Sequence, residues 1–232
     1  MTLKELLNKV QERSRETPET VYASNNKPRI RRLIQYANQA NKRILAAHKW
    51  SYFKKQGVVN VIDGTTLYSL PSDFYRLVND TMHRGSTFVP INFVASSQDV
   101  ALQNNYNTGK LNTGRIVGGQ LELINFPAGQ VTYEYISNGL VQLNATGGST
   151  LSVDFTEDND TFLYPNLDEL LVCATHWLYQ RSKGGETANE AKDDYIIELR
   201  AQRINDTGSR IIDNTGPKYN RLTPPFNPDY GY

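Results

Sequence analysis

The sequence predicts an α+β fold, in which an antiparallel α-helical bundle carries an inserted β-rich subdomain and an extended C-terminal arm. Apolar residues recur at helical spacing near both ends of the chain, alternate with a period of two in the middle, and lose periodicity after Gly208. The predicted division assigns 1–50 and 163–206 to the bundle, 51–162 to the inserted subdomain and 207–232 to the arm. A chain of 232 residues is long enough to bury a core of its own.

The N-terminal part predicts two helices. Residues 2–15 form the first, because Thr2 can cap it and Glu5 stands three residues later, as in a capping box. The second runs from Pro28, which suits a first helical turn, to about Trp50. Their apolar faces are Leu3, Leu6, Leu7 and Val10, and Ile30, Leu33, Ile34, Ala37, Ala40, Ile44 and Ala47.

Short strands follow where the apolar period changes from helical to alternating. Residues 57–62 alternate, Asp63-Gly64 is a tight-turn signal, and a returning strand at 66–70 ends at Pro71. Further strands are predicted at 75–82, 87–94, 115–118, 120–125 and 130–136. Polar loops are predicted at 97–114 and 137–152, the second of which could instead be a hairpin.

Helical periodicity returns after Pro165, with Asn166 as a plausible cap and Lys183-Gly184-Gly185 as the end of the third helix. A fourth helix is predicted from about Glu186 to Asn205. The inner faces are Leu167, Leu170, Leu171, Ala174, Trp177 and Leu178 on the third helix, and Ala188, Ala191, Tyr195, Leu199 and Gln202 on the fourth.

The proline-rich tail at 214–232 cannot build a core, and we interpret it as an extended arm. Four of its aromatic residues have no sheet to join. Aromatic side chains on such a tail are expected to dock into a groove on another chain. These residues are Tyr219, Phe226, Tyr230 and Tyr232.

Charge is unevenly distributed, although the net charge is only +1. Residues 1–55 contain 13 basic and 4 acidic residues, a net of +9, whereas 56–165 have a net of −6 and 166–232 a net of −2. This polarity favours an acidic partner or phosphate at one end, although the basic residues could also be the solvated side of a helix. The basic helical face consists of Arg29, Arg31, Arg32, Lys42 and Arg43.

The sequence contains no recognisable catalytic, metal-binding or cofactor-binding motif. The one cysteine excludes disulfide frameworks and Cys-rich zinc sites, and the three histidines are scattered along the chain. Gly109-Lys110 lacks the surrounding residues of a phosphate-binding loop. The sequence therefore predicts no enzymatic activity, no cofactor and no metal.

Two weaker candidates have simple structural interpretations. Cys173 and His176 share a helix face, but the apolar neighbours of Cys173 favour a buried, unreactive thiol. The acidic segment 154–160 matches no calcium loop and is predicted to be a solvated loop. The apolar runs are far shorter than the roughly 20 residues that cross a bilayer, and the N-terminus lacks the apolar region of a signal peptide. We therefore expect no membrane association and a reducing cytoplasm as the site of assembly.

The order of several short motifs resembles the head-to-tail adaptor proteins of short-tailed bacteriophages, also called tail accessory factors or tail tubular A-type proteins. The resemblance covers about residues 28–205. Its motifs are Trp50-Ser51-Tyr52-Phe53, Asp63-Gly64-Thr65, Tyr68-Ser69-Leu70-Pro71, Asp73-Phe74, Arg76-Leu77, Arg84-Gly85, Leu121-Glu122-Leu123 before Pro127, Tyr133 with Tyr135, and the helix opening at Pro165.

The resemblance implies a non-catalytic virion component at the head-tail junction, assembled in the host cytoplasm. It implies a dodecameric ring of neighbouring copies beneath the portal protein, with the C-terminal arm on the portal and the β-rich insertion facing the tail nozzle or tail fibres. Genomic DNA would pass through the ring without specific binding. The alternatives are a nucleic-acid-binding module that uses the basic N-terminal helices, and another tail structural protein.

Overall fold

The computed structural model describes residues 1–78, 81–85, 89–93, 113–124, 126, 128–144, 150–184 and 186–212. Helices and mainly antiparallel sheets occupy separate stretches of this part of the chain, which confirms the α+β class. Residues 213–232 of the predicted arm and residues 97–112 of the loop predicted at 97–114 lie outside the described residues.

Four α-helices lie within the described residues: α1 (Leu3–Arg13), α2 (Pro28–Ala47), α3 (Asp168–Lys183) and α4 (Thr187–Ile212). The predicted capping box begins α1, because the Glu5 N–H donates to Thr2 Oγ1 and the Thr2 N–H donates to the Glu5 carboxylate. Short 3-10 turns at Ser51–Phe53 and Pro165–Leu167 precede the first strand and α3.

Two predicted helix ends were wrong. The α2 helix ends at Ala47 rather than near Trp50, because His48 is extended and the Trp50 side chain folds back to donate its indole N–H to the Ile44 carbonyl at 2.7 Å. The α4 helix continues past Asn205 to Ile212. Gly208 does not stop it, since a glycine inside a helix costs only about 1 kcal/mol relative to alanine.

The described strands form three sheets. The first contains β1 (Lys54–Val61), β3 (Phe74–Leu77), β4 (His83–Arg84), β5 (Val89–Pro90) and β9 (Gly129–Ser137). The second contains β2 (Leu67–Ser69), β6 (Asn92–Phe93), β7 (Thr113–Val117) and β8 (Gln120–Ile124). The third contains β10 (Val141–Leu143), β11 (Thr150–Ser152) and β12 (Thr161–Phe162).

The structure refines three strand predictions. The strand predicted at 75–82 ends at Leu77, and β4 begins only at His83. The polar segment 137–152 contains the antiparallel pair β10–β11, so its hairpin interpretation is confirmed. The loop was predicted to reach residue 114, but Thr113 and Gly114 belong to β7.

The longest strand, β9, organises the first sheet. It pairs with β1 along the whole length of β1, from Lys54 opposite Ile136 to Val61 opposite Gly129. On its other side β9 pairs with β3 and β4. Alternate residues of β1 are buried, as the period-two pattern predicts for a strand with one solvated face.

Two hydrophobic cores result from this arrangement. The core of the β-rich part contains Val59, Val61, Met82, Ile91, Leu121, Leu123, Val131, Tyr133 and Tyr135. The second core lies among the helices and also receives Leu140, Val141, Phe155 and Phe162 from the third sheet and its connections. Leu3 N–H donates to the Asp160 carbonyl at 3.0 Å, so the start of α1 is bonded to the segment that leads into β12.

The α3 helix lies at the centre of the helical part, because α1, α2 and α4 all pack against it. Trp177 of α3 stacks on Tyr195 of α4 with ring centroids 5.2 Å apart, and the Arg43 guanidinium of α2 lies 5.0 Å from the Trp177 centroid. Further sides of α2 contact the 153–155 segment, and the end of α4 is bonded to Ala47 and Ser51, so only the sides that are still exposed can meet other molecules.

Candidate interaction surfaces

The aromatic arm residues predicted to bind a partner lie outside the described residues. They are Tyr219, Phe226, Tyr230 and Tyr232. The surfaces that can be built from geometry therefore lie on the helices and on the sheets.

The basic residues of α2 have different environments. The Arg29 guanidinium pairs with the Glu16 carboxylate, and Lys42 Nζ lies 2.9 Å from Asp154 Oδ2. Arg31 donates to Asn26 Oδ1 at 2.6 Å, and Arg43 lies over the Trp177 ring. Within the part of the chain that the structure describes, Arg32 has no carboxylate partner. The predicted basic face is therefore partly neutralised by the chain itself.

A shallow cleft of about 280 Å³ lies at the junction of α2 and α3. We call it the basic cleft, after Arg29, Arg32, Tyr36, Tyr179 and Lys183, which line it. Lys183 Nζ lies 4.3 Å from the Tyr179 ring centroid, and the Tyr179 hydroxyl donates to Glu16 at 2.9 Å. The cleft thus combines cationic side chains with an aromatic wall, a combination suited to carboxylates and aliphatic groups.

Glu16 holds one side of the basic cleft in place. Burial alone would raise the pKa of Glu16, but hydrogen bonds from Lys183 and Tyr179 and the nearby Arg29 charge outweigh it and lower that pKa. Glu16 therefore stays ionised at neutral pH. It fixes Arg29 and Lys183 in position and leaves Arg32 as the cleft cation that no described carboxylate balances.

An exposed ridge runs along α4. Ile197 is 64% exposed and Ile204 is 70% exposed, although both are large apolar residues. They are seven residues apart, so they lie on the same side of the helix. We define the α4 ridge as Glu190, Asp194, Ile197, Ala201 and Ile204, which recur at intervals of three or four residues.

Only the inner stripe of α4 was predicted from the sequence. Ala191 and Tyr195 of that stripe are buried, as predicted, and Leu199 packs against the helical core. The ridge was not predicted. The sequence does contain a signal for it, because two isoleucines outside the inner stripe are seven residues apart.

A larger cleft of about 750 Å³ lies between the end of α1, α3 and α4 and contains Cys173 and His176. Arg13 Nη1 donates to Cys173 Sγ at 3.1 Å, yet burial raises the pKa of the thiol in spite of this positive charge. Burial also lowers the pKa of His176. Cys173 is therefore a buried, protonated thiol beside a neutral imidazole, which agrees with the predicted unreactive cysteine.

The acidic segment 154–160 is a loop, as predicted, with Thr156, Glu157 and Asn159 exposed, but two of its carboxylates bind the chain rather than solvent. Asp160 is completely buried, and its carboxylate accepts backbone N–H groups from Asn144, Thr156 and Glu157. Asp158 accepts the backbone N–H groups of Tyr22 and Ala23. These carboxylates accept backbone N–H groups that would otherwise lack an acceptor. Amino-acid composition alone does not distinguish such carboxylates from carboxylates that are bonded to water.

Exposed apolar residues also occur in the β-rich part. Val58 on β1 is half exposed to solvent, and Ile62, Leu67 and Val117 are exposed to a similar degree. β1 pairs only with β9 among the described strands, so it is an edge of the first sheet. Lys54 and Lys55 at its start pair with Glu134 and Asp73.

A buried carboxylate, Asp206 of α4, joins the helices to the start of the β-rich part. His48 Nε2 lies 2.8 Å from Asp206 Oδ2, and the Ser51 N–H donates to Asp206 Oδ1 at 2.9 Å. The Arg203 guanidinium donates to the Ala47 carbonyl, and Arg76 of β3 donates to the His48 carbonyl at 3.2 Å. We call this set the α4 junction.

The described residues contain neither a helix that could cross a membrane nor a cluster of three potential metal ligands. No helix among them combines the length and the apolar character that a bilayer crossing requires. In the same residues, no group of three or more His, Cys, Asp or Glu side chains is placed to hold a metal ion.

Comparison with protein families gives one result over nearly the whole chain. A family model described as SU10 adaptor protein matches residues 1–217. No curated protein matches the chain. The matched range includes every described helix and strand and ends within the segment predicted to be the arm.

Proposed function

We propose that this chain, which belongs to the SU10 adaptor protein family of phage head-to-tail adaptors, forms a ring that attaches below the portal protein. The ring extends the DNA channel and provides a docking surface for the tail nozzle or tail fibres. The family match over residues 1–217 carries this proposal. An adaptor of this kind has a structural role in the virion and interacts with portal and tail components.

The arrangement of surfaces supports this role. The first two sheets enclose a core of their own, whereas the core of the helices is shared with the third sheet and its connections. In the proposal, the helical part consists of 1–50 and 163–206 as an antiparallel bundle, with 51–162 as the insertion. The bundle lines the channel, and the insertion faces the nozzle or the fibres.

The C-terminal arm, 207–232 in the predicted division, is the proposed portal-binding element. Its start is helical, since α4 reaches Ile212. The aromatic residues that follow would fill pockets on the portal, because aromatic side chains bury large areas with few rotatable bonds. The proposed anchors are Tyr219, Phe226, Tyr230 and Tyr232.

The experiment measures binding of the purified chain to portal rings of the same phage. We expect deletion of 213–232 to abolish ring attachment, and the triple variant Phe226→Ala, Tyr230→Ala and Tyr232→Ala to weaken it at least about tenfold, since buried aromatic anchors dominate interface energies. Circular dichroism should stay unchanged, because both changes lie beyond α4.

Substitution of polar arm residues provides the matched control. Thr223→Ala with Asn227→Ala alters the same segment and keeps every aromatic residue, so it should bind portal like the unmodified chain. Normal attachment by the deletion variant would show that the arm is not the portal-binding element. Absence of any attachment by the unmodified chain would contradict the adaptor role.

A further inference from the structure

We infer that neighbouring copies of this chain contact each other head to tail, with the α4 ridge of one copy in the basic cleft of the next. The inference rests on the proposed function, because a ring requires a contact between copies. It adds the two surfaces that make the contact.

The two surfaces carry opposite charges. The α2 helix, which forms one side of the basic cleft, contains five basic residues and no acidic one. The first part of α4 contains Glu190, Asp193 and Asp194 on the exposed side of the helix. Among the described ion pairs none involves these three carboxylates, and none involves Arg32. A contact between copies would pair charges that the single chain leaves unpaired.

The apolar parts also correspond. Ile197 and Ile204 project from α4 with about two thirds of their surface in water. The basic cleft offers the half-buried Tyr36 side chain, while Tyr179 forms its 4% exposed inner wall. Burying exposed isoleucine against aromatic rings is favourable, and the surrounding ion pairs fix the register of the two helices.

The placement of the surfaces explains why the contact would be made with another copy. Both α2 and α4 pack on α3 within one chain. The basic cleft lies between α2 and α3, whereas Glu190, Asp194 and Ile197 of the ridge border the separate cleft between α1, α3 and α4. Two different surfaces that bind each other produce a head-to-tail contact, which generates a closed ring when the rotation between copies is right.

Charge reversal tests the contact without portal. One variant carries Glu190→Lys and Asp194→Lys on the ridge, and the other carries Arg32→Glu and Ser182→Glu in the cleft. Sedimentation velocity over increasing concentration measures the self-association of each full chain. We expect each variant alone to associate at least about tenfold more weakly than the unmodified chain, because like charges then meet at every contact.

Mixing the two variants provides the decisive measurement. In the mixture, a lysine ridge faces a glutamate cleft at one contact, and an unmodified ridge faces an unmodified cleft at the next. Association should therefore return when the variants are combined in equal amounts. A simple folding defect would not be repaired by mixing.

Lys192→Glu is the matched control, because Lys192 is exposed on α4 but lies away from the ridge. It should not weaken association. The inference is overturned if the unmodified chain stays monomeric up to its solubility limit, if either reversed variant associates normally, or if the mixture stays dissociated. Portal attachment is measured separately, so failure here differs from failure of the adaptor role.

Discussion

Gly57 of β1 lies opposite Tyr133 of β9, and the Tyr133 ring covers it. A β carbon at Gly57 would lie 2.4 Å from Cζ of Tyr133 and 2.7 Å from its hydroxyl oxygen. Tyr133 is almost fully buried in the core of the β-rich part and cannot turn away without disturbing its neighbours. Glycine at this position is therefore a requirement of packing.

Gly57→Ala should lower the free energy of unfolding by about 1–3 kcal/mol, the range observed when a packed core receives an extra methyl group. Chemical denaturation measures the change. Asn60→Ala on the exposed side of the same strand is the control and should change stability by less than about 0.5 kcal/mol. An alanine variant as stable as the unmodified chain would show that the Tyr133 ring relocates freely.

The environment of Asp160 makes stability depend on pH. Burial raises the pKa of its carboxyl group, but hydrogen bonds from the Asn144, Thr156 and Glu157 backbones outweigh burial and hold that pKa below its ordinary value of 3.8. The carboxylate therefore stabilises the fold at any pH above 3.8. This contribution is lost as the pH falls through the lowered pKa of the folded state.

Asp160→Asn should cost about 1–3 kcal/mol at neutral pH, because the amide nitrogen replaces an oxygen that accepts buried N–H groups. The variant should also lose less stability than the unmodified chain as the pH falls below 3.8, because the lowered pKa of Asp160 is titrated there. Thermal unfolding across this range measures both effects. Parallel stability curves for the two proteins would contradict the assignment.

Among the elements, α4 packs against α3 and also connects the helices to the β-rich part. Through the α4 junction, the same helix is bonded to the end of α2 and to the turn before β1. Arg76 extends the junction to β3. A displacement at the end of α4 would thus be transmitted to the turn before β1 through side chains that are already in contact.

Asp206→Ala should loosen this connection. Removing the carboxylate leaves the Ser51 N–H without its acceptor, which costs about 1–3 kcal/mol. Hydrogen exchange should increase at Ser51 and in the last turn of α2, while the core of the β-rich part stays protected. Asn205→Ala, one residue earlier and exposed, is the control, and equal exchange in both variants would rule out the connecting role.

At the scale of the whole molecule, ion pairs within the chain reduce the charge that the basic N-terminal segment presents to other molecules. The basic N-terminal segment loses part of its charge to Glu16 and Asp154, and the net charge of the chain is only +1. A channel through which DNA passes gains nothing from tight phosphate contacts, since each contact opposes movement.

We therefore expect weak binding of duplex DNA at physiological salt, with little change in the variant Arg29→Ala, Arg31→Ala and Arg32→Ala. Fluorescence anisotropy over a salt series measures the affinity. Strong, salt-dependent binding that disappears in this variant would favour the alternative of a nucleic-acid-binding module.

Local patterns predicted most helices and strands and the order in which they occur. The capping box of α1 and the start of α2 at Pro28 are properties of neighbouring residues. The pairing predicted across Asp63-Gly64 was wrong, because β1 pairs with β9, whereas β2 after the turn pairs with β8 in another sheet. The end of α2 was predicted less well, because it depends on where the Trp50 side chain folds. The candidate interaction surfaces were predicted only in part, since the basic face was recognised and the α4 ridge was not.

The sequence by itself determined the α+β class, the family and the position of the basic residues, because periodicity, motif order and charge are properties of the chain. Only the tertiary structure decided which charges remain available. Glu16 and Asp154 neutralise Arg29 and Lys42 across many residues of chain, and the acidic loop is used to hold backbone N–H groups. The physical reason is that an ion pair or a buried hydrogen bond depends on distances in space, which packing sets after the local elements have formed.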